Sequence, residues 1–232
     1  MARQLHDFPC VLLRGGCSVK FIQILSAVAL TASTAASATT LIDGSFETKG
    51  ASTPVTDYCY DTFPAAGNPQ CAPSAWTGTS GVIISNSGPW GNTAAADGNY
   101  YAFVQGLSTL SQSFTATATS SLTLSWLDAN RTNNGGQQSY TVSISGGAST
   151  IDLGTYTSGF GSFVARTSSP FLAVSGTTYT LTFTGLSAED RTSFIDGVAL
   201  AAVPEPATWG LMIVGFGMVG FAARRRRTSV AA

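Results

Sequence analysis

The sequence predicts an all-β sandwich set between two targeting segments, and three observations carry that prediction. Short stretches of alternating apolar and polar residues recur between Thr39 and Val203, separated by Gly, Asn and Ser. Nothing in this region repeats apolar residues over eleven positions with the 3.6-residue period of an amphipathic helix. Only 10% of the 232 residues are charged, a composition that suits an extracellular β-protein whose exposed faces carry hydroxyls.

Taken in order, residues 1–38 read as a secretory signal. Arg3, Arg14 and Lys20 supply positive charge, Phe21 to Leu30 form a short apolar run, and Ala36-Ser37-Ala38 is a small-residue cleavage site. Such a segment implies export through the Sec machinery and removal by signal peptidase. Cys17 does not make a lipoprotein anchor, because its apolar run follows the cysteine instead of preceding it.

In the domain 39–203, Gly81 to Ile84 follows Trp76, and Tyr100 to Val104 follows the turn Asp97-Gly98-Asn99. Thr109 to Phe114 leads on to Ser121 to Leu127. There Leu122, Leu124 and Trp126 fall on one face and Thr123 and Ser125 on the other. The same alternation recurs at Tyr140, Val142 and Ile144, and at Tyr179, Leu181 and Phe183. Trp76 and Trp126 share these patterns with aliphatic residues and are expected in the core. Cys10 and Cys17 leave with the signal, so Cys59 and Cys71 are the pair that reaches an oxidising compartment. They flank Pro64, Gly67 and Pro69, which predicts a disulfide closing a loop. Two cysteines with no nearby histidine do not complete a zinc site.

The last segment, 204–232, opens with Pro204-Glu205-Pro206, which neither continues a helix nor supplies a full strand ladder. From Thr208 to Ala223 there is no charge. At about 1.5 Å per residue this makes a helix of roughly 24 Å, a marginal transmembrane span against a ~30 Å hydrocarbon core. Arg224, Arg225, Arg226 and Arg227 behind it would hold that end cytoplasmic and place everything before Pro204 outside. Gly215, Gly217 and Gly220 spell a dinucleotide fingerprint, but no βα unit or later acidic residue follows.

The residue inventory removes several function classes. The only histidine, His6, precedes the cleavage site, so Ser-His-Asp, Cys-His and histidine-metal chemistry are absent from the mature domain. Between Thr39 and Val203 the basic residues are Lys49, Arg131, Arg166 and Arg191 against ten acidic ones, which excludes a nucleic-acid surface. The surviving catalytic option is a carboxylate pair, with Glu189 or Asp190 and Asp128 as members of a secreted carbohydrate-active hydrolase. Among ten carboxylates some pair at a plausible spacing is nearly unavoidable, so the hydrolase is the alternative and a non-enzymatic protein the first reading. Sugar binding fits better, since aromatic rings pack on pyranose faces while amides and charged groups bond the hydroxyls. Trp90, in the loop Ser87-Gly88-Pro89-Trp90-Gly91-Asn92, is the best exposed aromatic candidate, with packing of its own loop as the equal alternative; Arg131, Asn130, Tyr58 and Tyr60 are also in loop-like sequence.

Two resemblances sharpen this reading. The end of the chain, with Pro204-Glu205-Pro206, Trp209, a Gly-rich apolar helix and the arginines 224–227, resembles the PEP-CTERM sorting signal of bacterial envelope proteins. That resemblance implies an exosortase partner that recognises the tripeptide and removes a helix held briefly in the inner membrane. The domain resembles galactose-binding-like jelly-roll modules. The matching stretches are an opening strand at Leu41-Ile42-Asp43-Gly44-Ser45-Phe46-Glu47, then Asp97-Gly98-Asn99-Tyr100-Tyr101-Ala102, Leu110-Ser111-Gln112-Ser113-Phe114 and the closing Phe194-Ile195-Asp196-Gly197-Val198. In calcium-bearing members, carboxylates of the first and last strands meet at a structural ion. Here these would be Glu47 and Asp196, with Asp43 nearby. The other reading is that Glu47 caps backbone donors and Asp196 lies in a turn. Together the expectations describe an exported, non-enzymatic surface or matrix protein associated with extracellular polysaccharide, released after processing.

Overall fold

The computed structural model describes residues 38–52, 57–62, 70–85, 90–91, 93–133, 136–147, 149–204 and 206–227. The signal segment lies outside them except for its last residue, Ala38.

The predicted alternation becomes two antiparallel sheets. In chain order the elements are α1 (Glu47–Ser52), β1 (Tyr58–Tyr60), β2 (Thr77–Gly78), β3 (Gly81–Ile84), β4 (Tyr100–Gln105), β5 (Thr109–Thr115) and β6 (Ser120–Asn130). They continue with β7 (Ser139–Gly146), β8 (Ser149–Thr157), β9 (Val164–Thr167), β10 (Phe171–Ala173), β11 (Thr178–Gly185), β12 (Thr192–Ala202) and α2 (Pro206–Arg227). One sheet runs β1-β3-β4-β12-β6-β10, with β9 also paired to β6; the other runs β2-β5-β11-β7-β8. The last strand thus lies inside its sheet, antiparallel to β4 on one side and to β6 on the other.

Between the sheets, alternate residues meet in one core that includes Trp76, Val104, Leu110, Trp126, Tyr140 and Phe183. Both tryptophans expected inside are fully enclosed. The first sheet is also covered on its outer face. Tyr60, Ile83, Trp90, Tyr101, Phe103 and Phe194 form a second buried cluster there. Strand β4 therefore sends Ala102 and Val104 into one core and Tyr101 and Phe103 into the other. The outer face of the second sheet is built of hydroxyls in register: Thr178 opposite Thr115, Thr180 opposite Ser113 and Ser145, Thr182 opposite Ser111 and Ser143. Cross-strand bonds of 2.9 to 3.2 Å join Ser111 to Thr182, Ser113 to Thr180 and Thr115 to Thr178.

Two expectations are corrected. Leu41 to Glu47 is not an opening strand. Asp43 and Phe46 take positive φ of 52° and 60°, which breaks an extended path, and the chain turns into α1. Asp43 caps that helix, its two carboxylate oxygens accepting the Thr48 and Lys49 amides at 2.9 Å each. The turn lies against β12, where the Val198 amide donates to the Gly44 carbonyl at 2.9 Å. A Cβ at position 44 would sit 2.0 Å from the Val198 oxygen, so only glycine fits. The second correction concerns α2, which forms over 22 residues. Among the described residues, no helix is long and apolar enough to cross a membrane. Arginine follows Ala223 immediately, leaving an uncharged run of roughly 24 Å.

Candidate functional site

Three loop-edge elements converge on one open groove. Strand β4 ends at Gln105, and Gly106, with φ of 61°, lets the chain turn through Leu107 and Ser108 into β5. The β11–β12 connection brings Glu189 and Asp190, and β1 contributes Tyr60. The groove between them has a volume of about 580 Å³. A neighbouring hollow of about 400 Å³ shares Ala188 and Glu189 and adds Gln137, Leu186 and Arg191.

A chain of side-chain bonds fixes the groove wall. The Tyr60 hydroxyl donates to Gln105 Oε1 at 2.7 Å, and Gln105 Nε2 donates to Asp190 Oδ1. Arg131 Nη1 reaches both Asp190 oxygens, at 3.2 and 3.3 Å. The guanidinium carbon lies 5.0 Å from the Trp90 ring centroid, within cation–π range. Burial first, then the neighbouring Tyr58 and the Asp190 charge, push the Tyr60 hydroxyl up to about 12. Tyr60 accordingly stays a neutral donor at physiological pH. Glu189 is held by Arg191 Nη2 at 2.7 Å. Amides, hydroxyls and two ion-paired carboxylates thus line the groove, with Leu107 exposed at 66% beside them. Such a wall can bond sugar hydroxyls while an aliphatic side chain meets an apolar ring face.

Of the two residues expected to bind a ligand, the structure brings Arg131 to the groove through Asp190 and places Trp90 behind it. Trp90 is only 6% exposed. Its ring packs 4.6 Å from Phe103 and 4.9 Å from Tyr58, so the expectation of an exposed aromatic platform is corrected: the ring closes the outer core. The carboxylates proposed for hydrolysis do not assemble. Asp128 lines neither hollow; it is fully buried, paired with Arg166 Nε at 3.0 Å and bonded by the Tyr140 hydroxyl and the Gly159 amide. Gln105 escaped sequence reading altogether, although Gly-Leu-Ser directly after it is a turn signal that would have placed it at a sheet edge.

Two of the three candidate calcium residues, Glu47 and Asp196, meet around one turn, while Asp43 caps α1. Glu47 Oε1 accepts the Asn99 and Tyr100 amides at 2.7 Å each. Asp196 Oδ2 accepts those of Ala96 and Asp97 at 2.9 Å, and its Oδ1 that of Gly197 at 2.7 Å. Two carboxylates from opposite ends of the domain therefore clamp the Asp97-Gly98-Asn99 turn through backbone donors. Among the described residues, no three of His, Cys, Asp and Glu stand together as a metal site. Oxygens already turned to amides are a poor set for an ion that takes six to eight oxygens, so calcium stays a proposal from the resemblance alone. The expected disulfide between Cys59 and Cys71 is present, with Cα atoms 4.9 Å apart.

In the sorting segment, Pro204 is exposed beyond β12, and Pro206 opens α2, a position where its missing amide costs nothing. Trp209 and the arginines 224–227 lie within α2, while Glu205 falls outside the described residues. A model of the PEP-CTERM protein-sorting motif matches residues 202–227. The chain ends in a PEP-CTERM sorting motif. The motif begins on the last residue of β12 and closes with α2. Its match accounts for the tripeptide and the arginine cluster. No curated protein matches the chain. Among solved structures, the chain is similar to TmCBM61, determined with β-1,4-galactotriose, at 15% identity and a TM-score of 0.41 over 56% of this chain and 90% of that one. It is similar to the CBM22-1 xylan-binding domain from Paenibacillus barcinonensis Xyn10C at 10% identity and a TM-score of 0.44, covering 56% and 87%. It is also similar to the K1 cleaved adhesin domain of Lys-gingipain from Porphyromonas gingivalis at 16% identity and a TM-score of 0.41, covering 57% and 94%.

Proposed function

We propose that this chain is exported, processed at its PEP-CTERM motif by an exosortase, and associates outside the cell with extracellular polysaccharide without turning it over. The observation that carries this reading is the coupling, in one chain, of a sorting motif with an open groove of amides, hydroxyls and ion-paired carboxylates. The groove supplies hydrogen-bonding partners for a sugar, and each of its carboxylates is held by a guanidinium, which leaves no free acid–base pair for glycoside cleavage. The hydrolase alternative has no assembled pair to support it, because Asp128 is committed to a buried network.

Affinity electrophoresis of the exported protein through gels containing neutral polysaccharides tests the reading. Retardation without release of reducing ends is expected, and Gln105→Ala should weaken it in a protein that stays folded, with a melting temperature lowered by the loss of the Tyr60 acceptor. Release of reducing ends would favour the hydrolase, and unchanged mobility in every polysaccharide would overturn sugar association. Intact mass in a host with the matching exosortase tests processing: a mature species still carrying residues 224–227 would refute it.

A further inference from the structure

Lys49 is an unusual lysine. It sits on α1 at 1% exposure, where a charged side chain is costly unless its partners are fixed. Its Nζ contacts Asp61 Oδ1, and lies 3.1 Å from Ser74 Oγ and 3.0 Å from the Trp76 carbonyl. Asp61 is 9% exposed, and its Oδ2 is enclosed with no hydrogen-bond partner among the described residues. Both backbones are pinned. The Lys49 amide is capped by Asp43, the Asp61 amide donates to the Ser80 carbonyl at 2.8 Å, and Asp61 sits two residues past the disulfide cysteine Cys59. The Phe46 and Trp76 rings pack beside these groups, tilted by 46° with centroids 5.0 Å apart.

We propose that Lys49 and Asp61 form a side-chain amide spontaneously after folding, an isopeptide cross-link between α1 and the disulfide loop. The ammonium passes one proton to the carboxylate, giving amine and carboxylic acid. Burial makes this transfer easier by holding the Asp61 carboxyl above its ordinary range, against the lowering effect of Lys49 itself. The amine lone pair then attacks Cγ, an N–C bond forms, and the C–Oδ1 bond breaks. The departing oxygen takes a second proton from nitrogen across the direct Nζ–Oδ1 contact, and one water leaves. No oxidant or external reactant is needed. Condensation is unfavourable between free groups in water, but groups held in contact reach effective molarities of roughly 10⁵–10⁸ M. The product also replaces two buried charges with one neutral amide, removing a desolvation cost that a buried ion pair carries permanently.

The test is the mass of the exported, folded wild-type protein after denaturation and reduction of the disulfide. The expected mass is one water below that of the mature sequence, and tandem mass spectrometry of a digest should join the peptides containing Lys49 and Asp61 through those two side chains. Asp61→Ala should restore the full mass. The decisive sample is the wild type, so poor folding of the variant does not affect the outcome. Full wild-type mass, with trypsin cleaving after Lys49, would overturn the cross-link and leave an ion pair.

Discussion

Replacing Arg166 with methionine isolates the worth of an ion pair between β6 and β9 whose carboxylate is also bonded by a hydroxyl from the opposite sheet. Asp128 on β6 is fully buried and accepts from Arg166 on β9, from the Tyr140 hydroxyl on β7 and from the Gly159 amide, while Trp126 Nε1 donates to Tyr140 at 2.8 Å. Arg166 is 26% exposed, so its own hydration is partly retained. The asymmetry decides the magnitude. Removing the arginine leaves a carboxylate with no water and no countercharge, a class of change that costs about 3–5 kcal/mol. Two neutral donors stay with Asp128, so the lower end, about 3 kcal/mol, is expected. For a domain of this size that lowers the melting temperature by roughly 6–12 °C. In an Asp128→Asn background the buried charge is gone, and Arg166→Met should then cost under about 1 kcal/mol, giving a coupling near 2 kcal/mol. Urea unfolding of the four proteins in this cycle measures it. A single-mutant cost below about 1 kcal/mol, or additive behaviour, would refute the view that Asp128 depends on the guanidinium.

Three further outcomes are expected. Reducing Cys59–Cys71, which are 12 positions apart, should cost about 3 kcal/mol by the chain-entropy account, read as a shift in the urea midpoint with and without reductant. Burial, reinforced by the Asp97 charge and opposed by three backbone bonds, pushes the Asp196 carboxyl from 3.8 up to about 6. Between those values the folded protein keeps a proton that the unfolded chain has released. Stability from this group is therefore fully present at low pH and lost as pH rises through about 6. Unfolding measured across that window should show this component, at most about 3 kcal/mol, in the wild type and not in Asp196→Asn. If the resemblance's calcium is held at Glu47 and Asp196, excess calcium should raise the melting temperature by several degrees over chelator, and Asp196→Asn should remove that rise; equal melting would leave the two carboxylates as a clamp for backbone amides.

Where a strand buries one face and wets the other, its residues announce it. Leu122, Leu124 and Trp126, or Tyr179, Leu181 and Phe183, alternate with Thr and Ser and lie in strands β6 and β11 as expected. Strands β8 and β9 carried no such signal, because they sit at sheet margins with most of their residues exposed, and β8 bends at Gly154. At Trp90 the sequence leaves loop packing and ligand contact balanced, because its neighbours are turn formers. The warning lay elsewhere, in β4, whose Tyr101 and Phe103 are as apolar as Ala102 and Val104 and so demand cover on both faces. The carboxylates at 47 and 196 were found, but their partners are backbone amides of residues 96–100, which no side-chain pattern reveals. The groove was half legible for a related reason: Tyr60, Arg131, Glu189 and Asp190 are conspicuous side chains in loop-like sequence, while Gln105 gains its place only from where β4 ends.

The hydroxyl-covered face of the second sheet bears on how the protein behaves in changing water. A surface kept soluble by lysines and glutamates has a colloidal stability that depends on ionic strength, since salt at about 0.15 M shrinks the reach of each charge to about 8 Å. Strands β5, β7 and β11 carry no charged side chain at all. Their threonines and serines are hydrated through hydrogen bonds that dissolved ions barely screen. That flank of the molecule is equally wettable in dilute fresh water and in brine, a useful indifference for a protein whose working place is outside the cell.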